Sequence, residues 1–175
     1  MFFYWIDPGI RKLWFAIIDK NLKIYELGAI INKLEWDRID NARRLADIEI
    51  FFQKMIEKYP PSWVCIEKLF FTKYNQNNAE FVYWVRGILL SKFYQQNCKI
   101  LELTPKEIKK FITWTGLAKK ELMQKTVKKL FKLTQLPQPH DAADALWMAY
   151  IIAKKNNIHI NPAINFQKFP NLHNL

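Results

Sequence analysis

Two acidic residues open an otherwise apolar helix near the end of the chain. Asp141 and Asp144 are three residues apart at the start of an apolar run over residues 140–153, so they share one face of the predicted helix. Two carboxylates about 4 Å apart repel by about 4 kcal/mol at an effective dielectric constant near 20. A nearby cation would relieve this repulsion, which makes the pair half of a metal site. Alternatively, both acids are exposed and the helix dipole stabilises them.

The length and composition fit one domain of ordinary core size. The chain has 175 residues, half of them apolar, and no apolar run approaches the roughly 18 residues that a membrane span needs. No basic segment precedes Asp7, so the start does not resemble a signal peptide. Cys65 and Cys98 are far apart and form no CxxC pair, which favours reduced, buried thiols. We therefore expect a soluble, cytoplasmic protein without a membrane partner.

Positive charge is concentrated in one segment. The formal net charge is +11, and residues 99–132 hold ten Lys against three Glu, a local balance of +7. Such a segment is typical of proteins that bind phosphate groups of nucleic acids. Lys-rich helices that are merely solvated are also common, so the charge favours nucleic acid without deciding for it.

Hydrophobic periodicity predicts an α/β protein. The predicted strands cover residues 2–7, 13–19, 22–31, 63–66 and 100–103, the predicted helices cover 37–59, 78–95, 118–133 and 140–155, and a further helix start lies at 104–107. Lys20 and Asn21 join the second and third strands as a hairpin, so the first three strands are expected to be antiparallel. We expect one domain over residues 1–155 with helices flanking a five-stranded mixed sheet, and a loose tail over 156–175.

The helix over residues 78–95 is apolar around most of its circumference. A helix of this kind is buried on two sides, and one side can face the sheet while the other faces a partner subunit. We expect glutamates at Val85 and Leu89 to disrupt that subunit contact.

Two more acids stand at the ends of predicted strands. Asp7 closes the first strand before Pro8 and Gly9, a pair typical of a type II turn. Glu67 follows the apolar run Trp63 to Ile66 without a helical reason. Glu67 therefore mirrors Asp7, as an acid at the end of a predicted strand.

Four motifs in order give the chain a specific resemblance. They are Ile6-Asp7-Pro8-Gly9, Ile66-Glu67-Lys68-Leu69-Phe70, Arg86-Gly87 and Asp141-Ala142-Ala143-Asp144-Ala145-Leu146. In this order, over roughly residues 2 to 153, the chain resembles the RuvC-type Holliday-junction resolvases of the RNase H-like superfamily. The resemblance implies an RNase H-like fold.

It also implies a homodimeric endonuclease that binds four-way DNA junctions and nicks two opposing strands, in homologous recombination and DNA repair. The carboxylates carried over are Asp7, Glu67, Asp141 and Asp144, which would hold two divalent cations. In-line phosphodiester hydrolysis uses such a pair of cations, and oxygen ligands favour Mg²⁺ or Mn²⁺. A branch-migration motor is a further partner that the resemblance suggests.

The DNA-binding residues that match the family are two lysines and one aromatic residue. Lys109 and Lys120 match basic residues that would lie against the scissile phosphate and strand, and Phe70 matches an aromatic that would stack on a base. Plainer alternatives stay open. Asp7 could cap its strand, Phe70 could fill the core, and Lys106, Lys110 or Lys119 could take either lysine role. His140, next to the Asp pair, could assist a metal, although a histidine at a helix start is more often structural.

The chain departs from the family at several glycine positions. Trp5, Trp14 and Trp114 stand where the family has Gly, and Trp147 where Gly or Ala is usual. Average usage near 7% would give about 12 Gly in such a chain, whereas 4 Gly stand beside 7 Trp. Our hypothesis is that some of these Trp are Gly in the native protein, because the source genome reads UGA as glycine. The alternative is a lineage that repacked around large residues.

Two other functions stay open. One is a junction-binding protein with weak or no catalysis, if the tryptophans are native and distort the first strand. The other is a different RNase H-like nuclease of the YqgF type, which the Asp-x-x-Asp helix and the separate basic segment disfavour.

Overall fold

The computed structural model describes residues 1–9, 12–31, 38–68, 76–104, 107, 120–137 and 140–155. The strands are β1 (Phe2–Pro8), β2 (Lys12–Asp19), β3 (Ile24–Ile31), β4 (Pro61–Glu67) and β5 (Lys99–Leu103), and the helices are α1 (Arg38–Lys58), α2 (Gln76–Gln95), α3 (Lys120–Leu130) and α4 (His140–Lys155). These bounds lie within a few residues of those that the periodicity predicts.

The five strands form one mixed sheet in the order β3-β2-β1-β4-β5. β2 pairs antiparallel with both β1 and β3, whereas β1, β4 and β5 are parallel. Parallel neighbours need long crossover connections, and α1 and α2 lie within those connections. The prediction of a five-stranded mixed sheet with three antiparallel opening strands is confirmed.

Alternate residues of β1 belong to two separate cores, one on each face of the sheet. Phe3 and Trp5 pack in the core that α3 and α4 cover. Tyr4 and Ile6 pack in the core that α1 and α2 cover. The sheet therefore has helices on both faces, which explains why β1 is apolar at nearly every position.

The hairpin between β2 and β3 differs from the prediction at one end. The apolar pattern places Leu22 in the third strand, but in the structure it lies in the turn with a φ of 62°, and β3 begins at Ile24. Leu22 N–H donates to the Asp19 carbonyl at 3.0 Å, and the Asp19 carboxylate accepts from the N–H groups of Asn21 and Lys23 at 2.8 and 3.0 Å. These bonds, together with burial of the Leu22 side chain, offset the cost of a left-handed conformation at a residue other than glycine.

The predicted helix start at 104–107 has the bonding of a capping box. Glu107 N–H donates to the Thr104 hydroxyl oxygen at 3.2 Å, and the Glu107 carboxylate accepts from the Thr104 N–H at 2.8 Å. The helix that would follow, the candidate residues Phe70 and Lys109, and the tail over 156–175 lie outside the described residues.

The subunit contact predicted at Val85 and Leu89 is wrong. Both side chains are buried in the core between α2 and the sheet, because they lie on the inner face of α2. The outer face of α2 instead presents Tyr83 and Trp84, which are 44% and 41% exposed.

None of the helices described combines the length and the apolar composition that crossing a bilayer would require.

Candidate active site

The register of the parallel strands brings Asp7 and Glu67 side by side. The pairing of β1 with β4 ends at Ile6 opposite Ile66, and each acid is the next residue along its strand. Phe3 and Trp5 on β1, and Cys65 on β4, belong to the core under α4. Because side chains alternate along a strand, Asp7 and Glu67 extend the same two rows on the α4 face of the sheet. Both are partly exposed.

The turn after Asp7 depends on a glycine. Gly9 N–H donates to the Asp7 carbonyl at 3.0 Å, and β1 runs through Pro8, which pairs with Leu13. A Cβ at Gly9 would collide with the backbone carbonyl oxygen of Lys12. Only glycine therefore lets the chain reverse this tightly beside the carboxylate.

The two remaining acids lie on α4, which packs on the same face of the sheet. α4 contacts β1, β2 and β4 and begins at His140. The Asp144 side chain is partly exposed beside the fully buried Ala143 and Ala145. The positive end of the helix dipole stabilises carboxylates near a helix start, which suits both Asp141 and Asp144.

A hydrogen bond from a buried glutamine anchors the segment that precedes α4. Gln124 on α3 is buried, and its Nε2 donates to the Pro137 carbonyl at 2.8 Å. Pro137 lies three residues before α4. This bond ties α3 to the segment that leads into the helix carrying the Asp pair.

The structure describes three of the four predicted carboxylates. Within the described side chains, no three His, Cys, Asp or Glu residues form a group that could hold a metal ion, so Asp7, Glu67 and Asp144 do not by themselves form a metal site. The Asp141 side chain is outside that description, so the four-carboxylate set stays a prediction. Asp7, Glu67 and Asp144 each make polar interactions in the structure.

The basic segment is described in part. Lys120 is the first residue of α3, although its side chain lies outside the described part of the chain. Along α3, Val127 is buried while Lys125 and Lys129 are exposed. One face of α3 therefore packs on α4 and another presents lysines to solvent, as the predicted amphipathic pattern requires.

Sequence reasoning missed the role of Arg86. The motif Arg86-Gly87 drew attention to the residue, but the apolar pattern of α2 gave it no partner. In the structure Arg86 is 7% exposed, and its guanidinium donates to the Glu67 backbone carbonyl and to the Glu102 carboxylate. A lone arginine in a helix that is apolar nearly all round is the signal that could have indicated a buried ion pair.

Two of the tryptophans in question lie in the core beside the site. Trp5 and Trp147 are 1% and 5% exposed and belong to the same core. Neither indole N–H has a hydrogen-bond acceptor among the described residues, and a buried donor without an acceptor costs about 1–3 kcal/mol. Trp14 pairs directly with Asp7 across β1 and β2, so three of the four positions adjoin the candidate site.

The fold and the placement of the acids define a class of protein. A mixed sheet of this order, with acids at the ends of two neighbouring parallel strands and a further acidic pair on a helix that packs on the same face, is the architecture of RNase H-like nucleases.

Comparison with known sequences narrows the class to one family. Residues 4–152 match the family model of the crossover junction endodeoxyribonuclease RuvC. The chain is 34% identical to the RuvC of Halothermothrix orenii over 159 residues, covering 89% of this chain and 93% of that protein. It is 36% identical to the RuvC of Petrotoga mobilis over 148 residues, covering 83% and 88%. The chain belongs to the RuvC family.

Solved structures show the same fold. The RuvC structure from Thermus thermophilus superposes with a TM-score of 0.75 at 21% sequence identity, covering 90% of this chain and 98% of that one. RuvC of the same organism in complex with Holliday junction substrate superposes with a TM-score of 0.74 at 22% sequence identity, covering 90% of this chain and 95% of that one.

Proposed function

We propose that this protein is a crossover junction endodeoxyribonuclease that binds four-way DNA junctions and resolves them by paired, symmetric nicks in homologous recombination and repair. The observation that carries the proposal is the RuvC family match over residues 4–152, a span that includes all four candidate carboxylates. The same match decides against a nuclease of the YqgF type.

The test is cleavage of a synthetic four-way junction. Purified protein is incubated with the junction and Mg²⁺, and the nicks are mapped on all four strands, with a linear duplex of the same sequence as the control. We expect nicks at symmetric positions on two opposing strands and an intact duplex. Binding of the junction without nicks would instead favour the junction-binding alternative, for which the two buried indoles next to the site are the supporting observation.

Divalent-metal dependence is a general property of this nuclease family, and the donors in the chain fit it. Asp7, Glu67 and Asp144 offer carboxylate oxygens, the ligands that Mg²⁺ and Mn²⁺ prefer. We propose that they and Asp141 hold two such cations, with Mg²⁺ the first choice. When bound, such cations would supply Lewis-acid activation of water and stabilisation of the charge that develops in in-line phosphodiester hydrolysis.

The chain's own side chains would position the DNA. Lys109 and Lys120 are proposed to neutralise the scissile phosphate and the strand beside it, since lysine binds phosphate as a compact point charge. Phe70 matches an aromatic residue of the family, and on that resemblance it is proposed to stack on a base near the crossover.

We propose a homodimer built on the outer face of α2. Gly87 lies on this face, and a Cβ added there would meet no atom within 4 Å from the described residues beyond its own stretch of α2. A glycine inside a helix costs about 1 kcal/mol relative to alanine, and the described part of the subunit shows no contact that requires it. A second α2 crossing closely at Gly87, flanked by Trp84 and Ile88, supplies the reason.

Two further assignments belong to the same proposal. A cytoplasmic location suits an enzyme that acts on chromosomal DNA and has two buried free cysteines. A branch-migration motor is proposed as a partner on the family resemblance alone.

A further inference from the structure

Arg86 is a buried cation with two partners. One terminal nitrogen of its guanidinium donates to the backbone carbonyl oxygen of Glu67, and the other forms an ion pair with the Glu102 carboxylate on β5. Burying a guanidinium is costly unless it is paired and hydrogen-bonded. The two partners meet that requirement, and the planar fork of arginine suits contact with two acceptors at once.

The backbone that Arg86 contacts is the end of β4 at the candidate site. The Glu67 carbonyl lies one residue beyond Ile66, the last residue of β4 that pairs with β1. On the other side, Lys68 N–H donates to the Leu103 carbonyl of β5 at 2.8 Å. The chain at Glu67 is therefore held by β5 and by Arg86, where the β1 pairing has ended.

Arg86 reaches this point from the face of the sheet opposite to the carboxylate. α2 packs with the core that contains Ile6 and Ile66, whereas the Glu67 side chain follows Cys65 on the α4 face. The guanidinium thus contacts the Glu67 backbone, while the Glu67 carboxylate lies on the α4 side of the sheet. Its charge is balanced by Glu102, so its effect on the site is geometric.

We propose that Arg86, held by Glu102, is a positioning residue that fixes the Glu67 backbone so that its carboxylate keeps the geometry a divalent cation requires. The inference rests on the proposed nuclease function, because it assigns Glu67 to the metal site. Hydrogen-bonded neighbours that orient a metal ligand typically contribute about 10- to 100-fold to metal affinity or activity.

The first measurement uses the metal alone. Mn²⁺ is titrated calorimetrically into the full-length wild type and into the variants Arg86→Ala, Arg86→Lys and Glu102→Gln. We expect Arg86→Ala to weaken Mn²⁺ binding by about 10-fold or more. Arg86→Lys should weaken it less, because a single ammonium keeps the charge but cannot hold both acceptors in the arginine geometry.

Lys92→Ala is the matched control. Lys92 lies on the same helix, is largely buried and pairs with Glu49 at 3.2 Å, so the variant also loses an ion pair of α2. That pair joins α2 to α1 and not to β4. We expect Mn²⁺ binding by Lys92→Ala to equal that of the wild type.

The second measurement is the Mg²⁺ dependence of junction nicking. Arg86→Ala should need about 10-fold more Mg²⁺ for half-maximal nicking, while its junction affinity without metal stays that of the wild type. A folded Arg86→Ala with wild-type Mn²⁺ affinity and Mg²⁺ dependence would overturn the inference. If Arg86→Ala does not fold, Arg86→Lys and Glu102→Gln decide by the same criterion.

The outcomes separate this inference from the proposed function. A wild type that binds Mn²⁺ but nicks no junction defeats the nuclease proposal, and the positioning role then stands or falls on the Mn²⁺ series. A wild type that nicks junctions while all variants bind Mn²⁺ equally keeps the nuclease and removes the role of Arg86. A wild type that binds no Mn²⁺ overturns the inference outright.

Discussion

Asp7 has a backbone that is fixed on both sides, so its charge can be changed without moving the strand. Ile6 pairs with Ile66, and Gly9 N–H bonds to the Asp7 carbonyl. We expect Asp7→Asn or Asp144→Asn to abolish nicking, because each removes a carboxylate from the proposed metal site. Junction binding should stay equal or become stronger, since each substitution removes negative charge from a surface that faces phosphate.

The measurement is a nicking assay beside a gel-shift assay without metal. Asp19→Asn is a suitable control, because Asp19 lies at the hairpin end of β2, where its carboxylate bonds backbone N–H groups. Wild-type nicking by Asp7→Asn or Asp144→Asn would remove that residue from the site.

The tryptophan hypothesis predicts that Trp5→Gly stabilises the protein, whereas truncation of a buried tryptophan ordinarily destabilises it. If Trp5 is native, Trp5→Gly leaves a large cavity, and truncating a buried tryptophan costs about 3–5 kcal/mol. If the core evolved around glycine, Trp5→Gly removes an oversized side chain and its unsatisfied N–H, so the free energy of unfolding rises. Urea unfolding of the protein with Trp5 and of Trp5→Gly distinguishes the two cases. Trp63→Gly is the control, because Trp63 does not stand at a position where the family has glycine.

Intact mass settles the same point in the native host. Protein isolated from that source should be lighter than the translated sequence by whole Trp-to-Gly differences. A mass that matches seven tryptophans ends the hypothesis, and the buried indoles then belong to a core that repacked around them.

At the residue level, the sequence indicated the neighbours of Asp7 but not the partner of Arg86. Acids that follow two parallel strands meet at one edge of the sheet because the register is set by the strands themselves. The orientation of the Arg86 side chain depends on which face of α2 turns inward. The sequence of an almost uniformly apolar helix does not specify its inward face, which is set by tertiary packing.

At the level of secondary structure, α3 offers a test of how the protein holds DNA. Its buried face carries Gln124 and Val127, and its exposed face carries Lys125 and Lys129. Lysines that neutralise phosphates release counterions, so affinity falls steeply with salt. We expect Lys109→Ala and Lys120→Ala each to reduce the slope of log affinity against log salt by about 1.

The measurement is junction affinity at several salt concentrations. Lys58→Ala is the matched control, because Lys58 ends α1 and pairs with Glu26 on β3 at 3.1 Å. An unchanged slope in both lysine variants would move the phosphate contacts to other lysines of the basic segment.

The elements themselves were largely predictable, because the periods of two and 3.6 residues are strong in this chain. The exceptions have local causes. Leu22 continues an apolar run but is drawn into the hairpin turn by the Asp19 bonds. Val85 and Leu89 are two of many apolar residues on α2, and only packing against the sheet shows that they face inward.

At the level of the whole molecule, paired cleavage requires two active sites at a fixed separation. A four-way junction has approximate two-fold symmetry, and an isologous dimer presents two identical sites related by such an axis. A single subunit has one set of these carboxylates. The proposed α2 face therefore links the shape of the assembly to the symmetry of its product.

The last prediction concerns that face. Trp84→Glu with Ile88→Glu should convert the dimer to a folded monomer, because both residues lie on the outer side of α2 and neither is among its buried core residues. Gly87→Leu should act in the same way, since a Cβ at Gly87 meets no atom of the described core within 4 Å, whereas a leucine there would block a close helix crossing. Sedimentation measures the molecular mass, and cleavage of a cruciform plasmid measures paired nicking. A dimer linearises the plasmid by two nicks in one encounter, whereas a monomer accumulates nicked circles.

Ile31→Glu, at a residue 64% exposed on β3, is the control that should remain dimeric. Variants of Trp84, Ile88 and Gly87 that stay dimeric and still linearise the plasmid would place the interface on another surface.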